Sequence, residues 1–243
     1  MNILAVETST ELGSVALIQD TQVTAEKTWS REGSHSEFLT SSVLEILTEQ
    51  NIQVHQIDRL AVGIGPGSFT GLRVAINFAR AFSYAQKCSV YNLSSLELLA
   101  HQPSLTNFKG TVAVLQYGFR DIFYAAKFEL DQGHSGQGGH GDHQKSCRVL
   151  QTPFVIQAEK IQAWVSTKDR LIGSGAKILK KHFAANWLES LNIHETDSVH
   201  PKASYFSQTL VGVQKSPNLT DWIHTIPLYL RLSEAEEKLG TFN

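Results

Sequence analysis

Residues 63–73 read GIGPGSFTGLR, four glycines and a proline between an apolar run and a segment with helical spacing. A turn of this kind can cradle a phosphate. Gly65, Gly67 and Gly71 permit close backbone approach, and Ser68 is placed to cap a helix whose free N–H groups attract anions. The pattern nevertheless lacks the Gly-Lys-Ser/Thr ending of a P-loop. It also lacks a strict GxGxxG with a downstream ribose-binding acid, so phosphate binding is weakly encoded. A second candidate is the stretch 131–146, DQGHSGQGGHGDHQKS, with His134, His140 and His143 among five glycines. These imidazoles could ligate a metal, but no rigid element or well-placed carboxylate or thiolate fixes a geometry, so a hairpin extension is expected. Cys88 and Cys147 stand far apart in no metal-like spacing, and neither metal nor cofactor is expected.

The elements that position these residues follow from periodicity. NILAVETS, SVALIQ and QVTAEKTW read as short strands separated by turn-like TELG and DT. A helix is expected over 34–50, with Ser34 as N-cap and Glu37 completing a capping box; Leu39, Val43, Ile46 and Leu47 fall on one face. RLAVGIG is a buried-type strand, 68–86 a second helix, CSVYNLS a strand and SLELLAHQ a helix. The second half repeats the order: strands TVAVLQY, DIFYAAKFEL and CRVLQTP, helix IQAEKIQAWVS, strand RLIGSG, helix AKILKKHFAANW. A further helix ASYFSQTLVGVQ precedes the extended IPLYLRL. Two successive β-β-β-α-β-α units predict a duplicated mixed α/β fold with helices covering the sheets.

Along the second helix, Gly71, Ala75, Ala79 and Ser83 recur every four positions and form a ridge of small side chains flanked by Leu72, Ile76 and Phe82. The ridge suits close packing on the sheet or on the 34–50 helix. It equally suits a helix-bundle contact with another molecule, with the rigid turn aiming the helix. Periodicity leaves both open. The chain has 243 residues, 42% hydrophobic and 18% charged, with a formal net charge of -2 and a pI near 6.5. That balance excludes a protein that holds nucleic acid by charge alone. The start MNILAVETST lacks a basic region followed by an apolar stretch, and no apolar run approaches the roughly 20 residues that span a bilayer. A soluble, cytoplasmic chain is expected.

Five segments, ILAVETST, GIGPGSFTGLR, LSSLELLA, LIGSGA and PLYLR, resemble in order and spacing the TsaB (YeaZ) family, the accessory subunit of the bacterial machinery that makes threonylcarbamoyladenosine in tRNA. The resemblance implies the duplicated actin-like (ASKHA) fold, with an N-terminal lobe over 1–105 and a C-terminal lobe over 106–243, each with a mixed β-sheet and packed helices. Active members of that fold carry an aspartate at the end of the first strand of each half. The matching positions here are Glu7 and Gln116, so the acid pair for metal-assisted phosphoryl transfer is absent. Glu7 is expected to hydrogen-bond the adjacent turn, and Gly173 and Gly175 resemble a remnant of the fold's adenosine loop.

No catalytic residue is therefore expected, and neither the paired-histidine motif of the catalytic paralogue TsaD nor a local Ser/His/Asp set occurs. The resemblance implies a noncatalytic partner of TsaD in threonylcarbamoyl transfer to the adenosine beside the anticodon, with a TsaE-like ATPase as a further subunit. It implies pairing with TsaD through the first two helices, or with a second copy in isolation, and tRNA contact only within the complex. The expected interface is Leu39, Val43 and Leu47 with Gly71, Leu72, Ala75, Ile76, Ala79 and Phe82. Gly65, Pro66, Gly67, Ser68, Phe69, Thr70 and Arg73 form the loop that shapes it. The competing readings are a small-molecule kinase of the same fold and a glycoprotease-like hydrolase.

Overall fold

The computed structural model describes residues 1–30, 35–132, 145–194, 198–210 and 218–231. Near-continuous apolar runs, ILAV and VALI, build the centre of the first sheet. β1 (Asn2–Glu7), β2 (Leu12–Gln19) and β3 (Gln22–Ser30) form an antiparallel meander. β4 (Arg59–Gly63) lies parallel to β1, and β5 (Ser89–Leu93) parallel to β4. The parallel steps need crossovers, supplied by α1 (His35–Glu49) between β3 and β4 and α2 (Phe69–Gln86) between β4 and β5. Lys87, in the left-handed region at φ 54°, ends α2.

The second sheet repeats the plan. β6 (Gly110–Phe119), β7 (Ile122–Gln132) and β8 (Lys145–Gln157) form a meander, and β9 (Arg170–Ile172) runs parallel to β6. Arg120 and Asp121, both at positive φ, make the tight β6–β7 turn whose twist matches the strands. α3 (Ser95–Ala100) joins the two halves, while α4 (Ala158–Trp164), α5 (Ser174–Ile178) and α6 (Ala185–Glu189) follow the second meander. The strand orders are β10-β5-β4-β1-β2-β3 and β8-β7-β6-β9, where β10 (Leu219–Thr220) returns from late in the chain to the edge of the first sheet.

The inner strands of both sheets are buried on both faces, and alternate residues go to different cores. On β1, Ile3 and Ala5 enter the central core while Leu4 and Val6 enter the core under α1 and α2. On β6, Val112 and Val114 join the central core while Ala113 and Leu115 enter the core under α4 to α6. The layers thus run α1/α2, first sheet, central core with α3, second sheet, α4–α6. At roughly 25 cal/mol per Å² of apolar surface, these three cores are the main driving force for the arrangement.

Two expected helices differ. The run AKILKKHFAANW divides into α5, a 3-10 turn Leu179–Lys181, and α6. His182 is anchored beside Asp121 at 3.4 Å and edge-on to Phe123, so tertiary contact overrides the local helical period. The run from Ala203 forms a 3-10 helix over Ala203–Gln208, because its first N–H groups are drawn to β2 and β3. Ala203 N–H donates to Ser14 Oγ at 2.8 Å and Ser204 N–H to Glu26 Oε1 at 3.0 Å. Residues 211–214, the rest of that expected helix, lie outside the described residues, as do Ser34 and the three loop histidines.

Candidate functional site

The glycine turn is locked onto the turn that follows β1. A Cβ at Gly67 would run into the Ser9 carbonyl, and one at Gly71 into the Thr8 carbonyl. The approach is sealed by hydrogen bonds: Ser68 N–H to Ser9 O at 2.7 Å and Thr8 Oγ1 to Gly71 O at 2.7 Å. Ser68 Oγ accepts from Gly71 N–H at 3.3 Å, as an N-cap does. Gly65, at φ +99°, would collide with Leu72 if it carried a side chain. Its N–H donates to Ser95 Oγ at 3.1 Å and its carbonyl accepts Ser95 N–H at 2.7 Å. The glycines here bring protein backbone, not phosphate, close to the helix N-terminus.

Glu7 completes this lock. It is fully buried, accepting Ser9 N–H on Oε1 at 2.6 Å and Ser95 Oγ–H on Oε2 at 2.8 Å. Burial pushes its carboxyl above the ordinary range, with the bonds from Ser9 and Ser95 pulling the other way. Glu7 therefore hydrogen-bonds the adjacent turn and Ser95. In the second half Gln116 is also buried, and its Oε1 has no partner among the described residues. It lines a cleft of about 590 Å³ together with Ser9–Glu11 atoms, Gly67–Thr70, Ser174, His200 and the tail through Arg231. Gly173 and Gly175 repeat the first half's device: a Cβ on either would press on Leu115, and Ser174 Oγ accepts Tyr117 N–H at 3.1 Å. Across the cleft mouth Phe69 stacks on Tyr229 at 4.9 Å, with the Arg73 guanidinium 3.9 Å above Phe69 and Nε–H donating to Tyr229 Oη at 3.3 Å.

The ridge on α2 faces inward. Gly71, Leu72, Ala75, Ile76 and Ala79 are buried, and Leu39, Val43 and Leu47 of α1 are buried opposite them in the same chain. Within this chain these members of the expected interface set pack on the first sheet and on each other. Small side chains let α2 lie close on β4 and β5, and Ala75 and Ala79 belong to the core that holds Leu60, Val62 and Val90. Phe82 alone of that set is partly exposed. The outward surface of the two helices carries different residues. Phe38, Leu44 and Tyr84 are exposed by 40%, 55% and 67%, and Phe78 and Phe82 lie half-buried beside each other at 5.7 Å. Thr70, Arg73 and Asn77 continue the exposed face toward the glycine turn.

Comparison with known proteins decides the family. The family model described as TsaD, tRNA N6-adenosine threonylcarbamoyltransferase, matches residues 22–238. The tRNA threonylcarbamoyladenosine biosynthesis protein TsaB of Bacillus subtilis is 26% identical over 98% of this chain and 97% of its own length. The TsaB protein of Haemophilus influenzae is 31% identical over 51% of this chain; that match spans 53% of the relative, about half its length. YeaZ from Pseudomonas aeruginosa superposes with a TM-score of 0.75 at 22% identity, covering 94% of this chain and 99% of that one. The chain belongs to the TsaB (YeaZ) family. With that likeness, the two sheets and their helices are the two halves of the actin-like (ASKHA) fold.

For a TsaB-family chain, the sequence located the glycine turn but missed the outward residues Phe38, Leu44, Phe78 and Tyr84. Their signal was present: they occupy the helix positions left over once the buried stripe is assigned. Tyr229 lies in PLYLR, one of the segments that carry the resemblance, but its partners Phe69 and Arg73 stand more than 150 positions upstream and have no local signal. Among the described residues, no helix is long and apolar enough to cross a membrane.

Proposed function

We propose that this chain is a noncatalytic subunit in the making of threonylcarbamoyladenosine in tRNA. It acts by binding and supporting a TsaD-like catalytic paralogue, with a TsaE-like ATPase as a further partner, in the cytoplasm. The observation that carries the partner role is a group of exposed and half-buried apolar side chains on α1 and α2: Phe38, Leu44, Phe78 and Phe82. Single exposed apolar residues need no explanation, but four on one helix pair, with Phe78 beside Phe82, suit a partner helix, whereas Tyr84 packs edge-on to Trp222. The buried ridge beneath holds both helices on the sheet, so they are presented as one rigid face. Alone, the same face can pair with a second copy. Contact with tRNA belongs to the assembled complex, since a net charge of -2 supplies little counterion release.

The noncatalytic reading is supported at the strand ends. Glu7 is spent on Ser9 and Ser95, and an amide stands where the second acid would be. The competing kinase reading draws on the cleft beside Gln116, which is large enough for a small ligand. Co-expression with the TsaD-like paralogue, followed by affinity capture and size analysis, tests the proposal. A stable one-to-one complex supports it. Failure to associate, together with multiple-turnover ADP release by the isolated chain, would replace it with the kinase reading.

A further inference from the structure

Among the described residues, Glu97, His101 and Cys147 bring a carboxylate oxygen, an imidazole nitrogen and a thiol sulfur within 4.8 Å of one another. Sequence spacing conceals the group, since Cys147 stands far along the chain from the other two. Glu97 and His101 are one helical turn apart on α3 and its C-cap, and so share a face. Cys147 is on β8 opposite Leu130 of β7, and α3 packs on β6 and β7. His101 is buried, while Glu97 and Cys147 are half-buried.

We propose that Glu97, His101 and Cys147 form a binding site for a zinc-class divalent ion that clips α3 to the second sheet. This departs from the sequence expectation of no metal. The donor set selects the ion: one sulfur, one nitrogen and one oxygen suit Zn²⁺, whereas Mg²⁺ and Ca²⁺ take oxygen. Metal–ligand bonds of roughly 2.0–2.3 Å imply ligand separations of roughly 3.3–3.8 Å in a tetrahedron. The side chains need close by only about an ångström from the spacing present, within reach of modest χ rotations. Three protein ligands leave a fourth position for water. On binding, the Cys147 S–H bond breaks, its proton goes to solvent and a Zn–S bond forms, with no change in oxidation state. The ion would tie the helix that ends the first half to a strand of the second.

The test uses the full chain, purified without a histidine tag and with His134, His140 and His143 replaced by alanine, so that the loop contributes no imidazoles. After treatment with chelator the chain is titrated with Co²⁺ and then Zn²⁺. One equivalent of Co²⁺ with thiolate-to-metal charge-transfer absorption, displaced by Zn²⁺, is expected. Zn²⁺ should also raise the melting temperature and slow alkylation of Cys147, with Cys88 as the internal control. Cys147→Ser should abolish the charge-transfer band and weaken Zn²⁺ at least about tenfold, as even loss of an outer partner does. Equal Zn²⁺ affinity in Cys147→Ser, or one-equivalent Co²⁺ binding with no thiolate band, overturns the site. Should Cys147→Ser or Glu97→Gln fail to fold, alkylation of the unsubstituted Cys147 decides: a rate unchanged by saturating Zn²⁺ overturns it too.

Discussion

The two halves share an order of elements and differ in what they leave exposed. Over the first sheet lie two long helices, α1 of 15 residues and α2 of 18, and over the second lie α4, α5 and α6 of 7, 5 and 5. The short helices turn their aromatics onto each other and the sheet: Phe183 meets Trp187 at 4.5 Å, and Phe154 meets Trp164 at 5.8 Å. The long helices keep Leu44 and Tyr84 outside. The strand ends diverge as well, with Glu7 sealed under the glycine turn and Gln116 open to the cleft. The two halves are thus asymmetric: two long helices cover the first sheet, three short ones cover the second, and residues of both line the cleft.

The largest effect should come from breaking the seam under the long helices. Ala75 is fully buried between α2 and the first sheet, so Ala75→Arg overpacks the core and leaves a charge without water. A loss of about 3 to 5 kcal/mol is expected, the scale of an uncompensated buried charge. Chemical denaturation reads it directly. A folded variant of normal stability would contradict the inward placement of the ridge.

This site also shows what sequence can settle. The four-residue period of Gly71, Ala75 and Ala79 fixed that they share a face, but not which side that face was on. Only the sheet supplies the answer, because α2 packs on β4 and β5, whose Val62 and Val90 share its core. Strands such as β1 and β6 were legible as short continuous apolar runs, ILAV and VAVL, because both of their faces are buried. The two-residue β10 was not, since pairing of Leu219 with Tyr91 leaves no period to detect. The glycine turn was legible as a constraint and not as a partner: nothing in GIGPGSFTGLR names Thr8 and Ser9.

A smaller but more selective effect is expected on the outer face. Leu44→Arg changes a side chain that is 55% exposed, so stability should stay within about 0.5 kcal/mol. Association with the TsaD-like partner, or with a second copy, should weaken at least about tenfold, or ~1.4 kcal/mol. Titration calorimetry beside a melting curve separates the two quantities. Unchanged affinity would move the interface elsewhere.

The sealed strand end predicts a pH signature. Glu7 in the folded chain holds its proton to a higher pH than the unfolded chain does, chiefly through burial. Its contribution to stability is complete below the unfolded carboxyl value and is lost as pH rises through the folded one. Glu7→Gln cannot ionise, so its melting temperature should vary less across that window than the parent's. Parallel profiles would show that the carboxyl keeps an ordinary pKa in the folded state.

The smallest effect belongs to the other half, and it makes the asymmetry testable. Ile193, just beyond α6, is 41% exposed, close to Phe38 in accessibility, yet belongs to the broken layer over the second sheet. Ile193→Arg removes little buried surface, and its backbone N–H still donates to Leu191 O. Stability should move by no more than about 0.5 kcal/mol, as for other surface changes. Partner affinity should not move at all, because the docking face lies on the opposite outer layer. Measured beside Leu44→Arg under the same conditions, this variant controls for a charge added to any exposed apolar site. If Ile193→Arg weakened association as much as Leu44→Arg, the partner would be sensing net charge or both layers together. A loss confined to Leu44→Arg would assign association to the long helices.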